Sequence, residues 1–293
     1  MTTRRQFLLA AGAGTAGLAL SGGAVAYGVD THDHARARKA AAVGEGVGRA
    51  ADAAASTRVG THRVVWSTTP VGPWAAITFD DGPTPEYTPR ILGALEKGGV
   101  RATFNVMGHN AVAHPHLIAA IVAAGHEIAN HSWSHLDQTR ITAAQVREEI
   151  VRCEDEVEQL IQQPLVGFRP PRGELTGYAV RVAAELGHDV FMWSCTRGPG
   201  GTSTVPAVVQ ALGSSVEAGD VVDLHDGLGR GTFAPTAQFT RDLAARREVE
   251  VRALPEALRR IADRGVRLTS ATDLLARSVA EPLPTWKQPT PAS

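Results

Sequence analysis

Cysteine is nearly missing from this chain: 293 residues contain only Cys153 and Cys195. Neither has the spacing of a zinc-binding cysteine motif. A disulfide between them stays open from sequence, although buried free thiols are the commoner outcome. A domain of this size can bury a full core without cross-links. Charge of one sign is missing too. Lys and Arg number 29 against 30 Asp and Glu, a formal net charge of −1, so nothing suggests nucleic-acid binding, which wants a strongly basic face. After the first apolar stretch there is no second long apolar run, so no membrane span is expected in the mature protein.

What is there begins with Thr3-Arg4-Arg5-Gln6-Phe7-Leu8-Leu9, the pattern of a twin-arginine export signal, followed by an Ala/Gly/Leu-rich stretch and the small-x-small site Ala24-Val25-Ala26. The alternative is an uncleaved anchor; the glycines and the small residues at its end favour cleavage after Ala26. Loss of residues 1–26 removes Arg4 and Arg5 and no acid, taking the formal charge from −1 to −3. Residues 27–62 are rich in Ala, Gly and charge and poor in large apolar side chains, the composition of a flexible linker. Residues 280–293 form a Pro-rich tail expected to be disordered.

Between these, residues 63–279 alternate strand-like and helix-like segments. Strands are expected over Val64–Trp66, Ala75–Phe79, Ala102–Val106, Glu127–Asn130, Leu165–Phe168, Val190–Trp193, Asp220–Leu224 and Val266–Leu268. Helices are expected over Tyr87–Glu96, Pro115–Ala124, Thr142–Gln162, Gly177–Leu186, Val205–Glu217, Leu254–Arg264 and Ala271–Ala276. About seven such units imply a parallel sheet with right-handed crossovers, closed as a barrel rather than left open.

The chemistry gathers around Thr78-Phe79-Asp80-Asp81-Gly82. A buried strand delivers two adjacent carboxylates at its C-terminal end, where ligands of α/β folds bind. Adjacent buried acids repel unless a cation or a shared proton intervenes. Some fifty residues on, His131-Ser132-Trp133-Ser134-His135 offers two imidazoles four residues apart, which one helical turn would face the same way. An acid plus His-x-x-x-His is a three-ligand set with an open position, the form of a catalytic zinc site, whereas structural zinc usually has four protein ligands.

These motifs, with Arg169-Pro170-Pro171-Arg172-Gly173, Trp193 and Asp223-Leu224-His225, resemble in order the motifs of the polysaccharide deacetylases, the family-4 carbohydrate esterases with a NodB homology domain. The resemblance covers roughly residues 64–275. It implies a distorted (β/α)7 barrel forming a single catalytic domain. It also implies Asp81, His131 and His135 as ligands of Zn²⁺, with Co²⁺ or Ni²⁺ able to bind the same set. Asp80 is then the general base, held by Arg169, and His225 the general acid. The ion would lower the pKa of its water and polarise the substrate carbonyl. The implied activity is hydrolysis of N-acetyl groups on N-acetylglucosamine polymers such as peptidoglycan or a chitin-like glycan, by a secreted or wall-associated monomer. The alternatives are an O-acetyl xylan esterase and a glycan-binding pseudo-enzyme.

Three positions depart from the family or stay open. Arg172 stands where the family has Tyr; a backbone donor to the oxyanion survives that change, while the sugar platform changes. Trp133 either lines the sugar groove or packs in the core. The fourth motif has lost its acid, since Trp193-Ser194-Cys195 runs on to Thr196-Arg197-Gly198. Asp189 lies upstream, toward the far end of the barrel. Asp223 is two residues from His225 on a strand and should face the same pocket. It could supply the missing acid, merely polarise the acetyl pocket, or point away. His109, His114, His116, His126 and His188 read as surface or helix-end residues. Mass spectrometry of secreted material is expected to show a first residue near Tyr27; retention of residues 1–26 contradicts the export reading.

Overall fold

The strand that ends in the paired acids, β2 (Trp74–Asp80), lies at the centre of a parallel sheet. Its run of Ala, Ile and Phe is buried along nearly its whole length, as expected of a strand covered on both faces. The computed structural model describes residues 62–197, 204–229 and 238–279. The expected leader, the tail from residue 280 and the linker up to residue 61 lie outside the described residues.

Around β2 the chain adds β1 (Val64–Val65), α1 (Thr88–Gly98), β3 (Thr103–Val106), α2 (Gly108–Ala113), α3 (Pro115–Ala123), β4 (Glu127–Asn130) and α4 (Ala143–Ile161). There follow α5 (Gly177–Glu185), β5 (Val190–Phe191), β6 (Cys195–Thr196), α6 (Val205–Ser215), β7 (Val221–His225), α7 (Gln238–Asp263), β8 (Arg267–Thr269) and α8 (Ala271–Ala276). The ladder runs β4-β3-β2-β7-β6, with β8 against the start of β2, every pair parallel. Phe168 bridges Asn130 of β4 to Val190 of β5, and β1 pairs β5 on its other side. One segment, Val190–Thr196, therefore touches the β4 side through β5 and β7 through β6. That irregular closure is the distortion of the barrel.

Register decides what meets at the C-terminal end. Asp80 pairs with Asn105 on one side and with His225 on the other, and Thr78 pairs with Asp223. Paired residues of parallel strands point to the same face, so the ladder alone collects these groups.

Several expectations change. The strand expected over Leu165–Phe168 reduces to isolated bridges at the single residue Phe168. The helix expected from Leu254 starts at Gln238 and runs through Pro255. A proline costs a helix interior about 3 kcal/mol. Burial of Val251, Leu254, Leu258 and Ile261 along one face outweighs this, at about 1.5–3 kcal/mol per large apolar side chain. His126 and His188 are buried rather than superficial. His126 Nδ1 accepts from the Ala102 N–H at 3.2 Å, and burial lowers its pKa. His188 Nε2 meets Glu154 Oε1 at 2.8 Å. Cys153 and Cys195 are both buried free thiols. Among the described residues no helix is long and apolar enough to cross a membrane.

Helix α4 is fixed at its start by a reciprocal capping box: Thr142 accepts from the Gln145 N–H, and the Gln145 side chain accepts from the Thr142 N–H. Gly108, at the start of α2, lets Trp133 and α4 approach. A Cβ there would fall 2.5 Å from Trp133 Cε3 and 3.0 Å from the Cys153 Cα, whereas a Cβ at Gly93 of α1 would meet nothing. In chemical denaturation, Gly108→Ala is expected to lose about 1–3 kcal/mol by overpacking, and Gly93→Ala to gain about 0.5–1 kcal/mol from helix propensity. A Gly108→Ala protein as stable as the parent would show that Trp133 is not held against α2.

Candidate active site

The last residue of β2, Asp80, is buried beside Arg169. Its Oδ1 accepts from Arg169 Nη1 at 2.8 Å and from Asn105 Nδ2 at 2.6 Å. Burial pushes the Asp80 pKa up, but Arg169, His131 and His225 outweigh it, and the group lies below its usual value. Arg169 is fully buried. It donates from Nε to the Phe191 carbonyl, from Nη2 to the Met192 carbonyl and from Nη1 to Thr78 Oγ1. The chain leaves β2 through Asp81 at φ 75°. There is no room for a side chain on the facing loop, since a Cβ at Gly227 would lie 2.0 Å from the Asp81 carbonyl oxygen.

The two histidines come from a bent loop rather than from the helical turn expected of their spacing. Ser132 and His135 have φ of 66° and 55°, and the imidazole centroids are 5.2 Å apart. Asn130 and two carboxylates of α4 hold this loop. Asn130 Oδ1 accepts from the Ser132 N–H and its Nδ2 donates to Glu154, while Glu149 accepts from both the N–H and the hydroxyl of Ser134. His131 Nδ1 lies 2.9 Å from the Arg169 carbonyl oxygen. A carbonyl only accepts, so Nδ1 carries the proton and the Nε2 lone pair faces the pocket. Four of the five non-glycine residues with positive φ among the described residues are Asp81, Ser132, His135 and Arg172, all at this end of the barrel. Each such conformation costs about 1–3 kcal/mol and persists where surrounding structure enforces it, commonly at functional sites.

The donors fit a metal ion. One ligand atom each from Asp81, His131 and His135 lies within 4.8 Å of the others. Asp81 Oδ1 is 3.2 Å from His135 Nε2 and 3.5 Å from His131 Nε2, yet it is buried with no hydrogen bond of its own. Leaving a charged buried oxygen unpaired is costly, and a cation between the three atoms would remove that cost. Burial holds His135 down at about 4, in the neutral form a ligand requires. At His131 burial is outweighed by Asp80 and Asp81, and the pKa is raised.

Across the pocket stands His225. Its Nδ1 is 3.2 Å from Glu250 Oε2, the same oxygen that accepts from its backbone N–H at 3.1 Å. Burial and Arg247 pull the His225 pKa down, but Asp223 and Glu250 outweigh them and push it up to about 9. Asp223 shares the face, with Oδ2 4.0 Å from His225 Nε2 and Oδ1 3.4 Å from Arg169 Nη1. These groups line a cleft of about 220 Å³ whose apolar walls include Trp193, Leu228, Phe239 and Leu243. A larger groove of about 610 Å³ at the other end of β2, lined by Trp74, Lys97, Leu258 and Arg267 among others, has no carboxylate or histidine in its lining.

The polysaccharide deacetylase family model matches residues 68–191. A peptidoglycan-N-acetylglucosamine deacetylase of Bacillus cereus is 34% identical over 154 residues, covering 52% of this chain and 72% of that protein. A chitooligosaccharide deacetylase of Sinorhizobium fredii is 31% identical over 194 residues, covering 66% of this chain and 87% of that protein. The chain belongs to the polysaccharide deacetylase family. A family 4 carbohydrate esterase from Streptomyces lividans, solved in complex with acetate, shares its fold with a TM-score of 0.58 and 28% identity, covering 73% of this chain and 100% of that one.

Within this family the chain's departures now have places. Arg172 lines the cleft at φ 59°, and its guanidinium is tied to Asp137 at 2.8 Å and Glu174 at 2.7 Å. Trp133 is not part of the cleft lining; its ring packs against the main core with the Arg152 guanidinium 3.8 Å from its centroid, so core packing describes it. Asp189 binds Arg63 at 2.6 Å, away from His225. Three buried residues were missed from sequence: Arg247 and Glu250 of α7, and Asp226, whose Oδ2 accepts from Thr88 Oγ1 at 2.6 Å. A signal existed for the first two. Arg247, Glu250, Val251, Leu254, Leu258 and Ile261 follow a three-four spacing, so two charges occupy the core stripe of a helix. Metal analysis is expected to find zinc bound by the parent and absent from His131→Ala, with affinity falling as pH is lowered because a proton competes for His131. Full occupancy in His131→Ala would refute the ligand set.

Proposed function

We propose that this chain is an exported, metal-dependent N-deacetylase that releases acetate from N-acetylglucosamine units of a wall or chitin-like glycan. One observation carries the reading: Asp80, tied to Arg169, and His225, tied to Glu250, line one cleft together with three donor residues that fit a metal ion. The names of the relatives point to the same substrate class, and the leader pattern at Arg4-Arg5 supports export to the wall.

Asp81 Oδ1, His131 Nε2 and His135 Nε2 would hold the ion, Zn²⁺ by the N/O donor set. When bound, it supplies Lewis acidity toward the acetyl carbonyl and toward water. Asp80 acts as general base. Arg169 and Asn105 both hold its Oδ1, which leaves Oδ2 to take the proton of the attacking water. The water oxygen joins the carbonyl carbon, and the backbone N–H of Arg172 assists the oxyanion, as the family resemblance implies. As the C–N bond breaks, His225 gives its Nε2 proton to the leaving amine, and acetate and the free amine depart. The apolar walls at Trp193, Leu228 and Phe239 suit the acetyl methyl. The same machinery would cleave an O-acetyl ester, a reading favoured by the similarity to the Streptomyces lividans esterase.

Acetate release from chitooligosaccharides, peptidoglycan and acetylated xylan, with and without chelator, separates these readings and a non-catalytic glycan binder. Asp80→Asn is expected to retain zinc while kcat falls at least about 100-fold. His225 is protonated below its value of about 9 and loses its donor proton above it, so activity should hold through neutral pH and decline on the alkaline side near pH 9. Turnover by Asp80→Asn close to the parent's would remove Asp80 from the base role.

A further inference from the structure

The fourth motif carries no acid between Trp193 and Arg197, yet His225 is not left without an orienting carboxylate. Glu250 comes to it from α7, outside the motifs that define the family resemblance. Glu250 is almost wholly buried, and its two oxygens divide their work. Oε2 accepts from the backbone N–H and faces Nδ1 of His225; Oε1 meets Arg247 Nη1 at 3.1 Å and Arg197 Nε at 2.9 Å. Arg247 then reaches on, from Nη2 to Asp81 Oδ2 at 3.1 Å and from Nε to the Gly227 carbonyl at 2.7 Å. A continuous chain of buried charge-assisted contacts thus runs from His225 through Glu250 and Arg247 to Asp81.

We propose that Glu250, braced by Arg247, is the positioning residue for His225: it takes the Nδ1–H and turns Nε2 toward the cleft, the work done by the fourth-motif acid where that acid is present. The proposal rests on His225 being the proton donor. Geometry separates Glu250 from Asp223. A carboxylate that fixes an imidazole's tautomer must sit on the nitrogen that does not exchange protons with substrate. Glu250 sits on Nδ1, whereas Asp223 approaches Nε2, the exchanging nitrogen, at 4.0 Å and also faces Arg169. Backbone and ring of His225 are gripped by one Glu250 oxygen, which fixes both the end of β7 and the ring plane. The charged groups facing His225 are Asp223 of β7, Glu250 and Arg247 of α7, and Asp80 and Asp81 of β2, with Arg197 behind Glu250. Glu250 itself stays ionised, since burial is outweighed by Arg247, His225 and Arg197.

The test uses the zinc-loaded protein. Nitrogen-15 NMR of the parent, above the His225 value of about 9, should show a neutral ring protonated at Nδ1 and bare at Nε2. The opposite tautomer would overturn the proposal, and this measurement needs no variant to fold. In Glu250→Gln, kcat for acetate release from chitooligosaccharides should fall by about 10- to 100-fold with KM little changed. The alkaline limb should move to lower pH, because a carboxylate that favours the imidazolium is gone. Glu250→Asp, which keeps the charge, should recover part of the loss. Parent-like kcat and limb in Glu250→Gln, with the loss of kcat appearing in Asp223→Asn instead, would assign the role to Asp223. If no substrate yields acetate but the Nδ1 signature is present, the reaction reading fails and the positioning stands.

Discussion

A guanidinium buried at the centre of a barrel is the constraint on which the rest of this site depends. The Arg169 guanidinium has only donors and no acceptor, so the fold must give it acceptors on every side: the Phe191 and Met192 carbonyls, Thr78, Asp80 and Asp223. These partners come from β2, β5 with the residue that follows it, and β7. Moving any of these strands would leave a buried charge unpaired, at a cost of several kcal/mol. The same contact keeps Asp80 ionised, and the Arg169 carbonyl fixes the tautomer of His131. One residue therefore sets the charge of Asp80 and the lone pair of His131.

A second set of charges works from the outside inward. Glu149 and Glu154 of α4 hold the loop of His131 and His135 through Ser134 and Asn130, and Arg247 and Glu250 of α7 hold Asp81 and His225. The cleft groups sit on strand ends and on loops that include positive-φ residues, while the carboxylates and the guanidinium that hold them sit on the long helices α4 and α7.

Much of this was legible in the sequence because it is local. The acids of Thr78–Gly82, the histidines of 131–135 and the strands that deliver them are short contiguous patterns, and the parallel order follows from strand–helix alternation. What escaped was non-local or concealed by a local rule. Pro255 ordinarily interrupts a helix, so the continuity of residues 238–263, and with it the buried face of α7 that carries Arg247 and Glu250, is concealed in the sequence. The spacing of His131 and His135 is that of one helical turn, yet an open loop at positive φ brings the rings together. His126 and His188 read as surface polar groups because their partners, the Ala102 N–H and Glu154, are more than twenty residues away.

The two thiols have a consequence for where this domain can be made. Cys153 and Cys195 are unpaired and buried among apolar side chains, and burial raises the pKa of both, well above the usual thiol range at Cys153 and to about 11 at Cys195, so neither offers a thiolate to an oxidant. No covalent step separates the unfolded chain from the described fold. The domain can reach its final packing in a reducing compartment and keep it in an oxidising one, so its assembly does not depend on the order in which it meets the two.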